Sequence, residues 1–279
     1  MTTDEAPAPG EGGAGQSKRP PFDTSVANQA RIYDYLLGGK DNYEADRVAT
    51  DAVLAIYPEM AFNAKANRAF LGCAVRFLAG EAGIRQFLDI GTGIPTAGNT
   101  HQVAQAVAQQ SRVVYVDYDP IVLAHARALL TSQQAGSTQY IDADLRDTDT
   151  VLSRAQQLLD FTQPVAVTLL AILHAIPDAD DPYAIVAKLL GAVPPGSYLA
   201  LSHIASDLLD AETQQSLTGV SDRMIQQDFT FRARDEVMRF FEGTDLVPPG
   251  LVRVEEWRPE PGPDDTAKSS LWVGVGRKC

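Results

Sequence analysis

Apolar residues recur along the chain with two different periods, and the change between them divides the sequence in two. Over residues 24–80 the apolar positions follow helical spacing, and nothing there alternates as a strand would. The pattern predicts a helix before Gly38-Gly39, a second over about 43–56 that Pro58 ends, and a third over about 63–79. The first predicted helix is marked by Ala30, Tyr33, Leu36 and Leu37.

From about residue 83, short apolar runs of strand length alternate with helical patterns. Strands are predicted over 87–90, 112–116, 139–141, 165–173 and 198–203, and helices between them over 96–110, 120–130, 148–159 and 182–190. Strands that alternate with helices in this way indicate a parallel sheet covered on both faces.

The last third of the chain adds helices and a predicted hairpin. Residues 206–227 and 233–241 read as helical, and the apolar runs 251–257 and 271–276 read as two strands. A proline-rich loop over 258–265 separates these runs, which predicts an antiparallel hairpin at the sheet edge. The predicted organisation is a disordered tail over 1–21, a helical cap over 22–82 and an α/β domain over 83–279 with a helical insertion at about 206–242.

Composition and charge exclude several classes of function. The 279 residues are 45% apolar and 21% charged, as in a globular protein able to bury a core, and the formal net charge is −13. Such an acidic chain without a basic cluster argues against nucleic acid as a partner. We find no signal peptide and no apolar run long enough to span a bilayer, so we expect a cytoplasmic protein with no membrane partner. The spacing of the histidines and cysteines predicts no metal site.

A glycine turn after the first predicted strand carries the strongest chemical signal. Asp89, Gly91 and Gly93 form the pattern D-x-G-x-G just before a helix, a local structure that suits a nucleotide-type cofactor. A dinucleotide fingerprint needs a third glycine where this chain has Thr96, which disfavours NAD(P). The pattern instead favours S-adenosylmethionine (SAM), whose carboxylate would meet the free N–H groups of the next helix.

Acidic residues also follow the second and third predicted strands. Asp117 lies 24 residues beyond Gly93, in place to accept the two hydroxyls of a ribose, whereas Asp119 precedes Pro120 as a helix cap would. After the third strand, Asp142 or Asp144 is a candidate to accept from an adenine amino group, with Leu145 packed against the ring. Taken singly, each acid could equally be a turn or cap residue; their common order predicts one cofactor pocket.

The chain resembles the class I SAM-dependent methyltransferases, and within them a bacterial family known as DUF574 or S-adenosyl methyltransferase. The resemblance covers about residues 24–277 and is carried by four segments, residues 28–43, 89–101, 140–146 and 240–243. It implies a Rossmann-like fold with a mostly parallel seven-stranded sheet, a reversed last strand and SAM as cofactor. It also adds Thr92 and Tyr118 to the predicted cofactor pocket.

The sequence leaves the reaction partly open. We expect methyl transfer to an oxygen or nitrogen nucleophile of a small-molecule acceptor. His174, predicted at the end of the fourth strand, is the candidate base, and Tyr33 belongs to a glycine- and tyrosine-rich segment that either closes as a lid or packs as a helical hairpin. The alternatives are a SAM-binding sensor without transfer and, less favoured, an NAD(P)-dependent oxidoreductase. The acceptor and the oligomeric state do not follow from the sequence.

Overall fold

The computed structural model describes residues 23–130, 138–259 and 268–279, with the backbone alone for residues 126–130. The predicted tail over 1–21 and most of the predicted loop over 258–265 lie outside the described residues.

One mixed sheet forms the centre of the molecule. The eight strands are β1 (Gln86–Ile90), β2 (Arg112–Asp117), β3 (Thr138–Asp142), β4 (Ala166–Leu170), β5 (Tyr198–Ile204), β6 (Thr244–Leu246), β7 (Val252–Arg253) and β8 (Leu271–Lys278). They run in the order β3-β2-β1-β4-β5-β8-β6, with β7 paired to β8 beside this path. The first five strands are parallel, and β8 is antiparallel to β5, β6 and β7. The α/β class, the parallel sheet and the reversed last strand are therefore confirmed.

Nine α-helices lie in the described ranges. They are α1 (Gln29–Leu36), α2 (Glu44–Ile56), α3 (Met60–Gly80), α4 (Thr100–Val107), α5 (Pro120–Leu130), α6 (Thr148–Ala155), α7 (Pro182–Gly191), α8 (Ala211–Val220) and α9 (Arg234–Met238). A π-helical turn, Ser221–Ile225, extends α8. The three helices predicted in the N-terminal region and the five parallel strands are all present.

The C-terminal strands differ from the prediction. The run 251–257 pairs with β8 at Val252–Arg253 alone, because residues 254–256 turn into a 3₁₀ helix that buries Trp257. The three-residue strand β6 lacked an apolar run and was not predicted. It takes the outer position, so β8 lies between β5 and β6 instead of at the sheet edge, and the strand count is eight instead of seven.

The fourth strand is shorter than the predicted 165–173. It ends at Leu170 because Ala171 adopts the left-handed conformation, with a φ of 52° that no regular strand contains. The Ala171 N–H turns to the Ser202 hydroxyl oxygen at 2.8 Å. His174 therefore lies on a 3₁₀ helix, Leu173–Ala175, and not at the end of a strand.

The helix after the glycine turn also begins later than predicted. Residues 96–99 precede the helix, and α4 begins at Thr100 instead of at the predicted residue 96. Gly98, with a φ of 77°, and Asn99 both direct their N–H groups to the Gln102 side chain at 2.8 and 3.0 Å. These two donors of the predicted anion-binding helix end are thus engaged within the protein.

Two apolar layers flank the sheet. The layer on one face includes Val151 of α6 and Leu189 of α7, and the other face carries α3 and α4 through residues such as Leu78 and Ala104. The predicted division at residue 82 stays a prediction, and α3 packs on the same face of the sheet as α4. Helices α1 and α2 instead pack against α8 and its π-helical turn, near the carboxyl ends of the parallel strands.

Candidate functional site

A cleft opens at the carboxyl ends of the parallel strands. All eight residues predicted for the cofactor line it, namely Asp89, Gly91, Thr92, Gly93, Asp117, Tyr118, Asp144 and Leu145. Tyr33 lines it from α1, and about 1280 Å³ of space lies within the cleft and its mouth. Parallel α/β sheets bind ligands at this edge, so the predicted cluster is assembled where the fold can use it.

The glycine turn needs both of its glycines. Gly91 has a φ of 74° and Gly93 a φ of 63°, a region that side-chain-bearing residues rarely occupy. A Cβ at Gly91 would lie 2.6 Å from the Ile172 side chain, so the turn packs directly against the segment after β4. No atom lies within 4 Å of a Cβ built at Gly93. The turn is thus tightly packed at Gly91 and open at Gly93.

Asp89 is tied into the base of the cleft. Its carboxylate accepts hydrogen bonds from the Thr100 hydroxyl at 2.6 Å and the Thr168 hydroxyl at 2.7 Å. Burial raises the pKa of this carboxyl despite the two hydrogen bonds. Because these partners belong to α4 and β4, Asp89 links three elements at the point where the glycine turn begins.

Asp117 joins the end of β2 to the glycine turn. Its two carboxylate oxygens accept from the Gly93 N–H and the Asp119 N–H, both at 3.0 Å. Burial raises the pKa of Asp117 from its ordinary 3.8 to about 6. A carboxylate can accept about four hydrogen bonds, so Asp117 keeps capacity to accept from a ligand. Asp119 caps α5 as predicted, accepting from the Ile121 N–H at 2.7 Å.

The structure separates the two acids after β3. Asp144 lines the cleft, whereas Asp142 is exposed and does not. Asp144 is bound by Arg146, whose Nη2 donates at 2.6 Å. Burial acts to raise the pKa of Asp144, but the hydrogen bonds from Arg146 outweigh it and lower the pKa. Leu145 is buried beside it.

Arg68 of α3 is a cleft residue that the sequence did not reveal. Its Nη2 donates to the Asn99 side chain at 2.7 Å and to the Ala97 carbonyl oxygen at 3.1 Å, and its charge acts on Asp89. Arg68 therefore lies beside the glycine turn, where it brings a positive charge to the cleft. No local pattern marks it, because α3 reads as an ordinary apolar helix.

A second cavity, which we call the chamber, lies behind the cleft. Its walls are mainly apolar and include Ile32, Val53, Leu217, Ile225, Phe229 and Phe231. Gln29, Tyr33, Asn67 and Ala171 line both the cleft and the chamber. These four residues form the boundary that the two spaces share, and we call this boundary the window.

His174 lines the chamber and not the cleft. The Gln29 amide nitrogen donates to the Ala171 carbonyl oxygen at 3.2 Å and lies 2.9 Å from His174 Nε2. Since a carbonyl oxygen can only accept, the amide presents its N–H₂ group to both partners, and His174 Nε2 accepts. Burial, with the nearby charge of Arg232, lowers the pKa of His174 to about 4, so this histidine is neutral at pH 7 with its proton on Nδ1.

A chain of hydrogen bonds fixes Tyr33 at the window. The Tyr33 hydroxyl donates to the Ala64 carbonyl oxygen at 3.0 Å and accepts from the Asn67 amide at 3.0 Å. The Ser202 hydroxyl donates to Asn67 Oδ1 at 2.6 Å and accepts from the Ala171 N–H. The chain therefore connects α1 to the strained end of β4, and burial raises the pKa of the Tyr33 hydroxyl.

The segment after Tyr33 is organised around a buried carboxylate. Asp34 Oδ2 accepts from the Asp41 N–H and from the Asn42 amide, both at 2.9 Å. A Cβ at Gly39 would overlap the Asp34 carboxylate, so glycine is required for this close approach. These contacts are those of a packed turn; whether the segment also moves as a lid stays a prediction.

Two features are absent from the described residues. None of the helices in the described ranges has the length and apolar character needed to cross a membrane. Within the same ranges, no three His, Cys, Asp or Glu side chains are grouped to hold a metal ion.

Comparisons with known proteins agree with this architecture. A sequence model of the family described as S-adenosyl methyltransferase matches residues 15–279. A DUF574 family protein from Streptomyces avermitilis is 43% identical, with a TM-score of 0.88 over 92% of this chain and 99% of its own. A putative methyltransferase from Thermobifida fusca is 40% identical, with a TM-score of 0.85 over 94% of this chain and 99% of its own. Curated proteins gave no match. The chain belongs to the S-adenosyl methyltransferase family and is a SAM-dependent methyltransferase.

Proposed function

We propose that SAM lies along the cleft and that its methyl group is transferred at the window to an oxygen or nitrogen nucleophile of a small molecule. The observation that carries this proposal is Asp117, a half-buried carboxylate at the end of β2 that lines the cleft and can accept further hydrogen bonds. Two neighbouring hydroxyl donors are what the ribose of SAM would offer, so the residues present fit this group.

The other ends of the cofactor have matching partners. Asp144 and Leu145 would meet the adenine, with Tyr118 at the mouth of the cleft, although Asp144 must share its oxygens with Arg146. We propose that Arg68 binds the carboxylate of the methionine part. We propose it in place of the N-terminus of α4, because the Asn99 N–H at the cap already donates to Gln102 and the His101 N–H to the Tyr115 hydroxyl oxygen.

When bound, SAM supplies a methyl group on a positively charged sulfur, which a nucleophile attacks in line. The chain's part is to orient the nucleophile and to exclude water. Tyr33 and Gln29 line both spaces at the window, so they are the side chains placed to orient the acceptor.

His174 and Tyr33 remain the candidate catalytic residues. With a pKa of about 4, His174 is unprotonated across the neutral range, but its Nε2 is engaged by Gln29 and its basicity is low. It can take a proton from an acceptor only after Gln29 releases it. A protonated nucleophile, O–H or N–H, would require that step, whereas an acceptor that ionises in water would not.

Cytoplasmic location and the lack of nucleic-acid and membrane partners remain part of this proposal. The acidic net charge of −13 supports the lack of a nucleic-acid partner. The apolar chamber, which shares the window residues with the cleft, supports a small-molecule acceptor.

Two experiments test the proposed function. Calorimetric titration with SAM, its demethylated product S-adenosylhomocysteine (SAH) and NADH should show binding of the first two only; binding of NADH without SAM would contradict the cofactor assignment. Incubation of the protein with methyl-labelled SAM and a metabolite extract should then move label into a small-molecule fraction. Binding of SAM with no transfer in any fraction would favour the sensor alternative.

A further inference from the structure

The chamber differs from the cleft in its charge. Asp and Arg side chains line the cleft, whereas none of the described residues that line the chamber is Asp, Glu, Lys or Arg. Moving an ion from water into such a space costs several kcal/mol unless an opposite charge meets it. The chamber therefore selects against charged molecules by the cost of desolvation.

Most polar groups of the chamber are already used inside the protein. Asn63 exchanges hydrogen bonds with Ser270, and the Ser221 hydroxyl donates to the Gln227 carbonyl oxygen. Tyr33 and Asn67 are held by the chain of hydrogen bonds at the window. Because these groups are already hydrogen-bonded within the protein, they do not require polar partners from a ligand.

Two polar atoms of the chamber residues have no partner among the described residues. His174 Nδ1 is buried without a hydrogen bond. Gln29 Oε1 receives none either, since its amide contacts are both made through the nitrogen. Because Gln29 lies at the window, its free oxygen is available to one O–H or N–H group of a ligand.

The window fixes where a polar end must lie. Tyr33, Gln29 and Asn67 bring their polar groups to the boundary with the cleft, and the walls behind them are mainly aliphatic and aromatic. A molecule with one polar group and an apolar body can satisfy both regions only with the polar group at the window. That orientation also points its heteroatom toward the cleft.

We propose that the chamber is the acceptor site and that it takes a neutral, mainly apolar molecule, of the class of an alkyl-substituted phenol, with its one hydroxyl group at the window. This inference rests on the proposed function for the direction of transfer, but binding to the chamber can be measured without it.

The test uses two ligands of nearly the same shape. 4-Propylphenol and 3-(4-hydroxyphenyl)propanoate share the ring, the hydroxyl and a three-carbon chain, and differ in a terminal methyl or carboxylate group. Titration of the full chain by calorimetry, with and without SAH, should show binding of the neutral phenol and at least tenfold weaker binding of the carboxylate. Equal affinities, or no binding of the neutral phenol, would overturn the proposal.

Two adjacent leucines provide a matched pair of variants. Leu36 lines the chamber, whereas Leu37, equally half-buried, lines a different surface beside Lys65. Leu36→Glu should weaken binding of the neutral phenol at least tenfold, and Leu37→Glu should change its affinity less than twofold. Thermal unfolding checks that both variants fold. Equal losses in both variants would overturn the location.

SAH titrated into the same samples keeps the two claims apart. Loss of phenol binding with intact SAH binding in Leu36→Glu supports the chamber. Wild-type protein that binds the phenol but not SAH would contradict the cofactor site while leaving the chamber supported.

Discussion

Replacing Asp117 by Asn removes one charge from the cleft with little change in shape. The wild-type carboxylate can accept further hydrogen bonds from a ligand, and a hydrogen bond to a charged group contributes about 1.5–3 kcal/mol. Loss of that charge should therefore weaken SAH binding by about 1.5–3 kcal/mol, which is roughly tenfold to 150-fold.

The raised pKa adds a pH signature. Because the pKa of Asp117 is about 6, wild-type protein at pH 5 has only about one carboxyl in ten ionised. Its affinity for SAH should fall about tenfold between pH 7 and pH 5, whereas Asp117→Asn should show no such fall. Calorimetric titration at several pH values measures both profiles.

Asp142 provides the control for this experiment. It pairs with Asp117 in the register of β2 and β3, but it is exposed and lies outside the cleft. Asp142→Asn should keep the wild-type affinity and pH profile. If Asp117→Asn bound SAH as tightly as wild type at pH 7, the ribose assignment would be refuted.

The same carboxyl should affect folding stability without ligand. A pKa raised from 3.8 to about 6 means that the folded state holds this proton more tightly than the unfolded state. The contribution of Asp117 to the free energy of unfolding should therefore decline as pH rises from about 4 to 6, by at most about 3 kcal/mol. Urea unfolding of Asp117→Asn at several pH values should lack this decline. If the variant and the wild type showed the same dependence of stability on pH, burial would not raise the pKa of Asp117.

Three further comparisons test other parts of the site and fold. Arg68→Met should weaken SAH binding by about 1.5–3 kcal/mol in calorimetry. It should leave the affinity for 5′-methylthioadenosine unchanged, because that ligand lacks the amino-acid end. Equal losses of affinity for both ligands would refute the carboxylate assignment. Gly91→Ala and Gly98→Ala each place an alanine in the left-handed conformation, which should lower the free energy of unfolding by about 1–2 kcal/mol. Only at Gly91 does the added Cβ come within 2.6 Å of a side chain, so only Gly91→Ala should also abolish SAH binding. Arg31→Met leaves the buried carboxylate of Asp46 without its counter-charge and should lower the free energy of unfolding by about 3–5 kcal/mol. The control Arg47→Met, at an exposed position, should lower it by less than about 1 kcal/mol. Similar losses for the two variants in urea unfolding would contradict this prediction.

The sheet could be predicted from the sequence because buried parallel strands are continuous apolar runs. Helices α2, α3 and α5 were likewise marked by spacing and by prolines at their ends. The cleft acids could be predicted because Asp89, Asp117 and Asp144 follow successive strands, and the fold brings strand ends together. These features depend on local sequence and on general rules of topology.

The remaining features depend on contacts between distant segments. Gln29 meets His174 across 145 positions, and Asn67 meets Ser202 across 135, so no local pattern could place them. The early end of β4 has the same origin, since Ala171 takes its left-handed conformation beside Ser202 of the neighbouring strand. Arg68 reaches the cleft only because α3 passes beside the glycine turn.

A crystal structure of the chain with SAH tests the central claim most directly. The account predicts both ribose hydroxyl oxygens within about 3.2 Å of the Asp117 carboxylate, the adenine beside Asp144 and Leu145, and the homocysteine carboxylate at Arg68. SAH bound elsewhere, or bound in the cleft with its ribose away from Asp117, would contradict it.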